Sequence, residues 1–325
     1  MISIITNTYN SSKFIHRLHH SLISQSEKNF EWILVDDNSE DNTIEILSQL
    51  TSPGRGGMRI YKMPFNSGGT IVSSVGANKS LGSIVVRIDH DDELVSDALF
   101  LIRNYFNKII KKKDIAGVLF PSVQPKSGRK ISSLHPGKLF KYSYFMSKEK
   151  ESVDGIMALK GDVARHYFSL AFYTRTFLNG AIWLEISKKY FFEYAGGDPI
   201  LIYHRDNIQS QSNNLKVSNK LVYSFARILD YHDKYYYTHP LKWIRYTLGL
   251  IHFTIIYYGS PLPVFGLLSR WSTRAWCALM LPFGVIAHFF KTNLEVVHYK
   301  EMSPKDCAEI VKEVKTIRSN MVTSI

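Results

Sequence analysis

The stretch SIVVRIDHDDEL (Ser83–Leu94) decides how the rest of the chain reads. A mostly apolar run, broken by one arginine, leads into four acids within five positions around His90. The apolar part predicts a buried strand. Its end crowds Asp89, Asp91, Asp92 and Glu93, where like charges repel and raise one another's pKa unless a positive charge lies between them. Carboxylates are hard oxygen ligands suited to Mg²⁺ or Mn²⁺, and an ion held by one or two of them takes its remaining oxygens from substrate phosphates. The competing reading is a solvated acidic turn capping a helix from Leu94, where carboxylates suit the helix dipole.

The neighbouring segments favour the cation. SIITNTYN (Ser3–Asn10) predicts a strand with a polar end, and apolar or aromatic residues at 14, 15, 18, 22 and 23 predict a helix across 11–25. FEWILVDDNSEDNT (Phe30–Thr43) reads as a strand, an acidic turn and a helix start with Asp41 or Ser39 as N-cap. A third strand (MRIYKM), a short helix closed by Gly82, a helix over 94–110 and a strand in DIAGVLFPS complete the pattern. Strands alternating with helices predict an α/β fold with a mostly parallel sheet flanked by helices. Ligands of such sheets bind at the carboxyl ends of the strands. Tyr9-Asn10, Asp36-Asp37 and Asp89–Asp92 all fall there.

Length and composition set the outer limits. The chain has 325 residues, 45% hydrophobic and 21% charged, enough for a sizeable core in one or two domains. Two cysteines, Cys277 and Cys307, make no disulfide framework and suit a reducing compartment. The first residues enter a strand without a basic and apolar leader, so a secretory signal is not expected. The net charge of +12 is uneven: residues 216–325 carry 14 Lys and Arg against 7 Asp and Glu, a net of +7.

Residues 124–151 look irregular and basic, followed by a helix over 179–194 and a strand in GGDPILIYHRDN. The expected division is an α/β domain over 1–215 and a helical region over 216–325. In that region LKWIRYTLGLIHFTIIYYG and RAWCALMLPFGVIAHFF are apolar on nearly every face. Neither reaches a clean run of about 20 uncharged residues, the length of a spanning helix. Trp, Tyr, Lys and Arg at their edges suit segments lying in a membrane interface, with anionic headgroups as partners of the basic excess. The aromatics sit in long apolar runs and not among dispersed basic residues, which argues against nucleic acid.

With these pieces in order, the chain resembles the inverting family 2 glycosyltransferases of the GT-A fold over roughly residues 2–212. The resemblance is carried by SIITNTYN, by LHHSLISQSEKNFEWILVDDNSEDNT, by NSGGT with Gly82, and by RIDHDDEL as a variant of an Asp-x-Asp-Asp motif. It implies a nucleotide-diphosphate donor of the UDP-sugar type, with Thr6 and Tyr9 lining the base pocket and Asp37 (or Asp36) bonding the uracil or other base. Asn66, Gly68, Arg87 and Asp89 would complete the donor site. Asp91 and Asp92 would hold Mn²⁺ or Mg²⁺, and His204 and Arg205 would stand near the diphosphate. The implied activity is hexosyl or N-acetylhexosaminyl transfer to a polysaccharide or a polyprenyl-diphosphate-linked glycan, on the cytoplasmic side of the plasma membrane.

The chain departs from the pattern in two places. Ser73 and Ser74 stand where an Arg-Asn or Ala-x-Asn pair is usual, and Asn179 stands where the catalytic acid is expected. An amide is no general base. Glu185 and Asp154 are the remaining candidates, although Glu185 lies about 240° around a helix from Asn179. Two hypotheses follow. One is a metal-dependent transferase; the other is a catalytically silent GT-A-like assembly partner in glycan synthesis.

Overall fold

The computed structural model describes residues 1–125, 134–147, 155–173, 179–204, 217–231, 239–290, 296–297 and 312–317. The strands are β1 (Ile2–Thr8), β2 (Phe30–Asp36), β3 (Met58–Lys62), β4 (Ile84–Arg87), β5 (Glu93–Leu94), β6 (Ile115–Val123), β7 (Leu139–Phe140), β8 (Gly155–Lys160), β9 (Phe191–Tyr194), β10 (Leu201–Ile202), β11 (Val217–Ser218), β12 (Val296–Val297) and β13 (Lys312–Ile317). The helices are α1 (Ile15–Ile23), α2 (Thr43–Gln49), α3 (Gly69–Lys79), α4 (Ala98–Ile109), α5 (Tyr142–Ser147), α6 (Gly161–Tyr173), α7 (Asn179–Lys189), α8 (Asn219–Asp230), α9 (Pro240–Tyr258), α10 (Val264–Leu267) and α11 (Trp271–Phe289).

One sheet organises the N-terminal two thirds and takes in β13 from the C-terminal end, with the order β13-β3-β2-β1-β4-β8-β6-β10-β5 and β9 between β6 and β7. Strands β3, β2, β1 and β4 run parallel. Beyond β4 the expected parallel run stops: β8 lies antiparallel between β4 and β6, and β5 pairs antiparallel with β10. The sheet is therefore mixed. Alternation along β1 sorts its residues by face. Ile2 and Ile4 join Leu18 and Leu22 of α1 and Phe106 of α4, whereas Ile5 packs with Val163 and Phe168 of α6 on the other face.

Three further differences from the sequence reading have simple causes. Residues 93–94 pair as β5, so the helix expected from Leu94 starts only at Ala98, and the acids at 89–92 cap no helix. The helix expected over 179–194 ends at Lys189, because Phe191–Tyr194 pairs with β6. The region after 216 is not helical throughout: β12 pairs with β11, and β13 returns to the outer edge of β3.

The helices α8–α11 have their own core, in which Val222, Leu229, Leu250, Phe253, Leu267 and Cys277 meet. No described helix is long and apolar enough to cross a membrane. The outward side of α11 is nevertheless apolar, with Trp271 81%, Leu279 66%, Phe283 59%, Ile286 57% and Phe289 79% exposed.

Candidate functional site

The carboxyl ends of β1 and β2 are tied into one unit. Thr8 pairs with Asp36 in the parallel ladder, and the Thr8 hydroxyl donates to the Asp36 carboxylate at 3.0 Å. Asp36 is fully buried and also accepts the Ser39 amide (2.8 Å) and hydroxyl (2.5 Å). Asn10 and Asn38 adopt positive φ, a conformation that Asn tolerates, and this turns both loops tightly. The two turns then bond each other: the Asn10 amide donates to Ser39 Oγ and the Glu40 amide to Asn10 Oδ1, each at 3.0 Å. Burial pushes the Asp41 carboxyl up, but hydrogen bonds from Ser12 and Thr43 outweigh it and hold the group below the usual carboxylate range. The cap of α2 is Asn42, in place of the expected Asp41 or Ser39.

Asp37 reaches the other way. Its carboxylate accepts the backbone N–H groups of Ser67 (2.6 Å) and Gly68 (2.7 Å). Gly68 has φ +82°, which glycine adopts without strain, and stands at the start of α3. The acidic turn after β2 therefore fixes the NSGGT loop. Asn7 completes this wall, donating from Nδ2 to the Gly69 carbonyl (2.8 Å) and Ser73 Oγ (2.7 Å). Ser73 thus supports Asn7, and the Ser74 hydroxyl turns back to the Thr70 carbonyl.

The third cluster stands beside these two. Ile5 pairs with Arg87, so continuing the register sets Asp89 level with Asn7. His90 Nδ1 meets the Asn7 carbonyl at 3.2 Å; a carbonyl only accepts, so Nδ1 carries the hydrogen. The Asp89 carboxylate is 46% exposed, with the Arg87 guanidinium 3.3 Å away. Part of the missing positive charge is therefore supplied by the same strand. Arg17 of α1 donates to the Asp91 carbonyl at 2.9 Å. Asp92 is buried and accepts the His204 amide at 3.1 Å, while the His204 ring bonds Glu93 at 2.8 Å. Buried Gln25 pins the far side of this turn by donating to the Val95 carbonyl and accepting the Leu99 amide.

Among the described residues, no three His, Cys, Asp or Glu side chains converge enough to hold a metal by themselves. The donor set fits a hard divalent ion bound by one or two carboxylates and completed by phosphate oxygens and water. Three buried polar atoms on these segments lack a hydrogen-bond partner among the described residues: Asn7 Oδ1, Asn66 Oδ1 and His90 Nε2. Buried polar atoms without partners are rare in folded proteins. A ligand or water would satisfy them.

The structure thus brings Asp36, Asp37, Asn66, Gly68, Arg87, Asp89, Asp91, Asp92 and His204 to linked segments at one side of the sheet. Tyr9 stands there too, 42% exposed. Thr6 does not open onto this edge; it is fully buried and its Oγ1 accepts the Trp32 indole N–H at 3.0 Å. Asn7, one residue on, takes the outward role through strand alternation. The sequence reading missed Asn7, Arg17, Ser67 and His90, of which only Asn7 had a usable signal, its parity in β1. Asp154 and Arg205 lie outside the described residues.

Glu185 lies elsewhere. α7 starts at Asn179, so Glu185 lies about 240° around the helix from that position. Its carboxylate bonds Lys188 at 2.6 Å. The cavity it lines is walled by α8 and the Ser269–Arg270 turn and includes none of the strand-end acids.

The model of glycosyl transferase family 2 matches residues 3–168, just over half of the chain. A Bacillus subtilis glycosyltransferase assigned to teichuronic acid biosynthesis, TuaG, is 24% identical over 229 residues, which is 70% of this chain and 88% of that protein. The Staphylococcus aureus poly(ribitol-phosphate) beta-N-acetylglucosaminyltransferase TarS is 28% identical over 183 residues, 49% of this chain and 32% of that protein. An uncharacterized glycosyltransferase of Haemophilus influenzae is 30% identical over 110 residues, 32% of this chain and 44% of that protein. The matches to these last two therefore span less than half of their length. The crystal structure of S. aureus TarS 1-349 in complex with UDP-GlcNAc superposes with a TM-score of 0.59 at 14% identity, covering 89% of each chain, which shows a shared fold. On the family match, and in keeping with its strand-end site, the chain belongs to glycosyl transferase family 2.

Proposed function

We propose that the chain is a metal-dependent inverting transferase that moves a hexose or N-acetylhexosamine from a UDP-sugar to a polysaccharide or lipid-linked glycan. The observation that carries the reading is the linkage at one sheet edge of Asp37 with the Ser67–Gly68 loop, of Asn7, and of the half-exposed Asp89. The relatives support the donor class: TarS is named an N-acetylglucosaminyltransferase and was solved with UDP-GlcNAc.

In this reading the acceptor hydroxyl oxygen bonds the anomeric carbon while the bond from that carbon to the β-phosphate oxygen breaks. The nucleoside diphosphate leaves with the electron pair, and the hydroxyl proton passes to a carboxylate. Asp91 and Asp92, with Asp89 beside them, would hold the divalent ion, which when bound would neutralise charge developing on the diphosphate. Asn7 Oδ1, Asn66 Oδ1 and His90 Nε2 offer acceptors to ribose or sugar hydroxyls. Arg87 and Arg205 would add positive charge for the leaving group, with His204 as a polar neighbour.

Of the two carboxylates weighed as base, Glu185 is held by Lys188 and lines a cavity without the strand-end acids, which leaves Asp154 as the one to test first. Replacing Asp89 by Asn is expected to lower transfer from a UDP-sugar panel with Mn²⁺ by about 10²–10³-fold, the size of losing one preorganised charge-stabilising group. Asp154→Asn should abolish transfer while UDP binding persists, and Glu185→Gln should leave transfer intact. Full transfer by Asp89→Asn overturns the reading.

The apolar outward side of α11 with Arg270 and Arg274 nearby supports a peripheral position on an anionic membrane surface. A second reading, a silent assembly partner, is favoured by Asn179 at the first position of α7. UDP-sugar binding without turnover on any acceptor, with Asp154→Asn indistinguishable from wild type, would select it.

A further inference from the structure

A cavity of about 270 Å³ lies where α7 meets the helical region, away from the strand-end acids. Its wall carries four cations, Lys141, Lys188, Arg227 and Arg270, and two acids, Glu185 and Asp230, a net of +2. The acids are already engaged. Asp230 Oδ2 accepts the Ser269 amide and hydroxyl, both at 2.7 Å, and lies 3.3 Å from Arg227. Asp230 Oδ1 accepts the Arg270 amide at 3.4 Å. Glu185 bonds Lys188. The other two cations are not neutralised by these bonds: Lys141 donates to the uncharged Ser187 carbonyl at 2.7 Å, and no described residue accepts from the Arg270 guanidinium.

The cavity rests on firm supports. Leu184 of α7 packs with Ile228 and Tyr231 beside it, and Arg227 is held by the Leu267 carbonyl at 2.5 Å. Lys141 and Arg227 are held in place by the Ser187 and Leu267 carbonyls, while Arg270 stands exposed in the turn before α11. Cations already held form an anion site more readily, because less side-chain freedom is lost on binding. The volume is just below the range of about 300–1,000 Å³ usual for sites of drug-sized ligands, so the occupant is small. Arg270 is followed by Trp271, the first exposed residue of the apolar side of α11. An anion in the cavity can therefore be free in solution or be the head of a lipid whose chains lie along that side.

We infer that this cavity binds a phosphate or diphosphate group, at a site separate from the donor edge. Arg270 and Lys141 are its principal ligands, Arg227 shapes it, and Glu185 limits its affinity by holding Lys188.

The test titrates inorganic pyrophosphate into the full chain in the presence of EDTA, by calorimetry, and in parallel measures sedimentation with vesicles of phosphatidic acid or of phosphatidylcholine alone. The variants are Lys141→Ala with Arg270→Ala, Glu185→Gln, and Arg245→Ala as a control that removes one exposed charge outside the cavity. Unliganded melting temperatures establish that each variant is folded. For a soluble occupant, the double variant weakens pyrophosphate binding at least tenfold, Glu185→Gln strengthens it, and Arg245→Ala leaves it unchanged. For a lipid occupant, the same order appears only with phosphatidic acid vesicles. The inference is overturned if the double variant matches Arg245→Ala in both arms, or if Glu185→Gln weakens binding. Because neither arm measures sugar transfer, failure here is distinguishable from failure of the transferase reading.

Discussion

In β1, Ile2, Ile4 and Ile5 are buried under helices on both faces, and polar groups gather where the strand ends. In α11 the pattern is reversed: Thr273, Cys277 and Gly284 are buried while Leu279, Phe283, Ile286 and Phe289 face outward. β1 is paired on both sides and α11 is helical throughout, short of the one bond that Pro282 cannot donate, so the main difference lies in what covers the side chains. The sheet is covered by its own helices. The outer side of α11 forms an apolar stripe of a kind that soluble monomers seldom expose and that marks interaction with a partner or a membrane.

The strand-end region should be the more sensitive of the two. Asp36→Ala removes a buried carboxylate that serves Thr8 and both donors of Ser39, and hydrogen bonds to charged groups are worth about 1.5–3 kcal/mol each. We expect a loss of about 3–5 kcal/mol in urea unfolding; a loss below 1 kcal/mol would break the claim that this edge is a tied unit. Gly284→Val tests the helical region next. A β-carbon at Gly284 would lie 2.6–2.8 Å from Ile251 side-chain atoms, closer than packing allows, so α9 and α11 must part at a cost of about 1–3 kcal/mol.

Substitution on the outer side of α11 should act in the opposite way. Phe283→Asp with Ile286→Asp should change unfolding free energy by no more than about 0.5 kcal/mol per site. Binding to anionic vesicles should fall at least tenfold, and unchanged binding would show that this side does not meet lipid. Cys277 sharpens the contrast within the same helix. Burial, with the nearby Asp230 charge, pushes its thiol up to about 12, so it should stay unalkylated at pH 8 until the helices unfold.

The smallest effect concerns pH. The Asp41 pKa is depressed in the folded chain, so its contribution is present above the unfolded value near 3.8 and is lost as pH falls through the lower folded value. Asp41→Asn should flatten the stability curve in that acid window and nowhere else.

The α/β half was legible because its strands are apolar and its acids fall at strand ends. The direction of β8 was not, since GIMALK has no feature that separates parallel from antiparallel pairing. Two-residue strands such as β5 carry too little pattern to compete with the helix that follows. Thr6 and Asn7 show how narrow the margin was: the residue types pointed to the right turn, but a single step in strand parity decides which one meets the core. The surroundings of Glu185 were hidden for a related reason. Its helix was legible, but its partner across the seam, α8, lies more than thirty residues further along the chain.

The pairing of β13 with β3 has a consequence in time. Lys62 and Lys312 are partners separated by 250 residues. At synthesis rates of about 5–20 residues per second, the outer edge of β3 waits about 12–50 s for its neighbour to be made. An open strand edge is a template for pairing with other chains. The emerging polypeptide therefore passes through a long interval in which its sheet is unfinished, and yield in cells should respond to whatever shields a nascent chain during that interval.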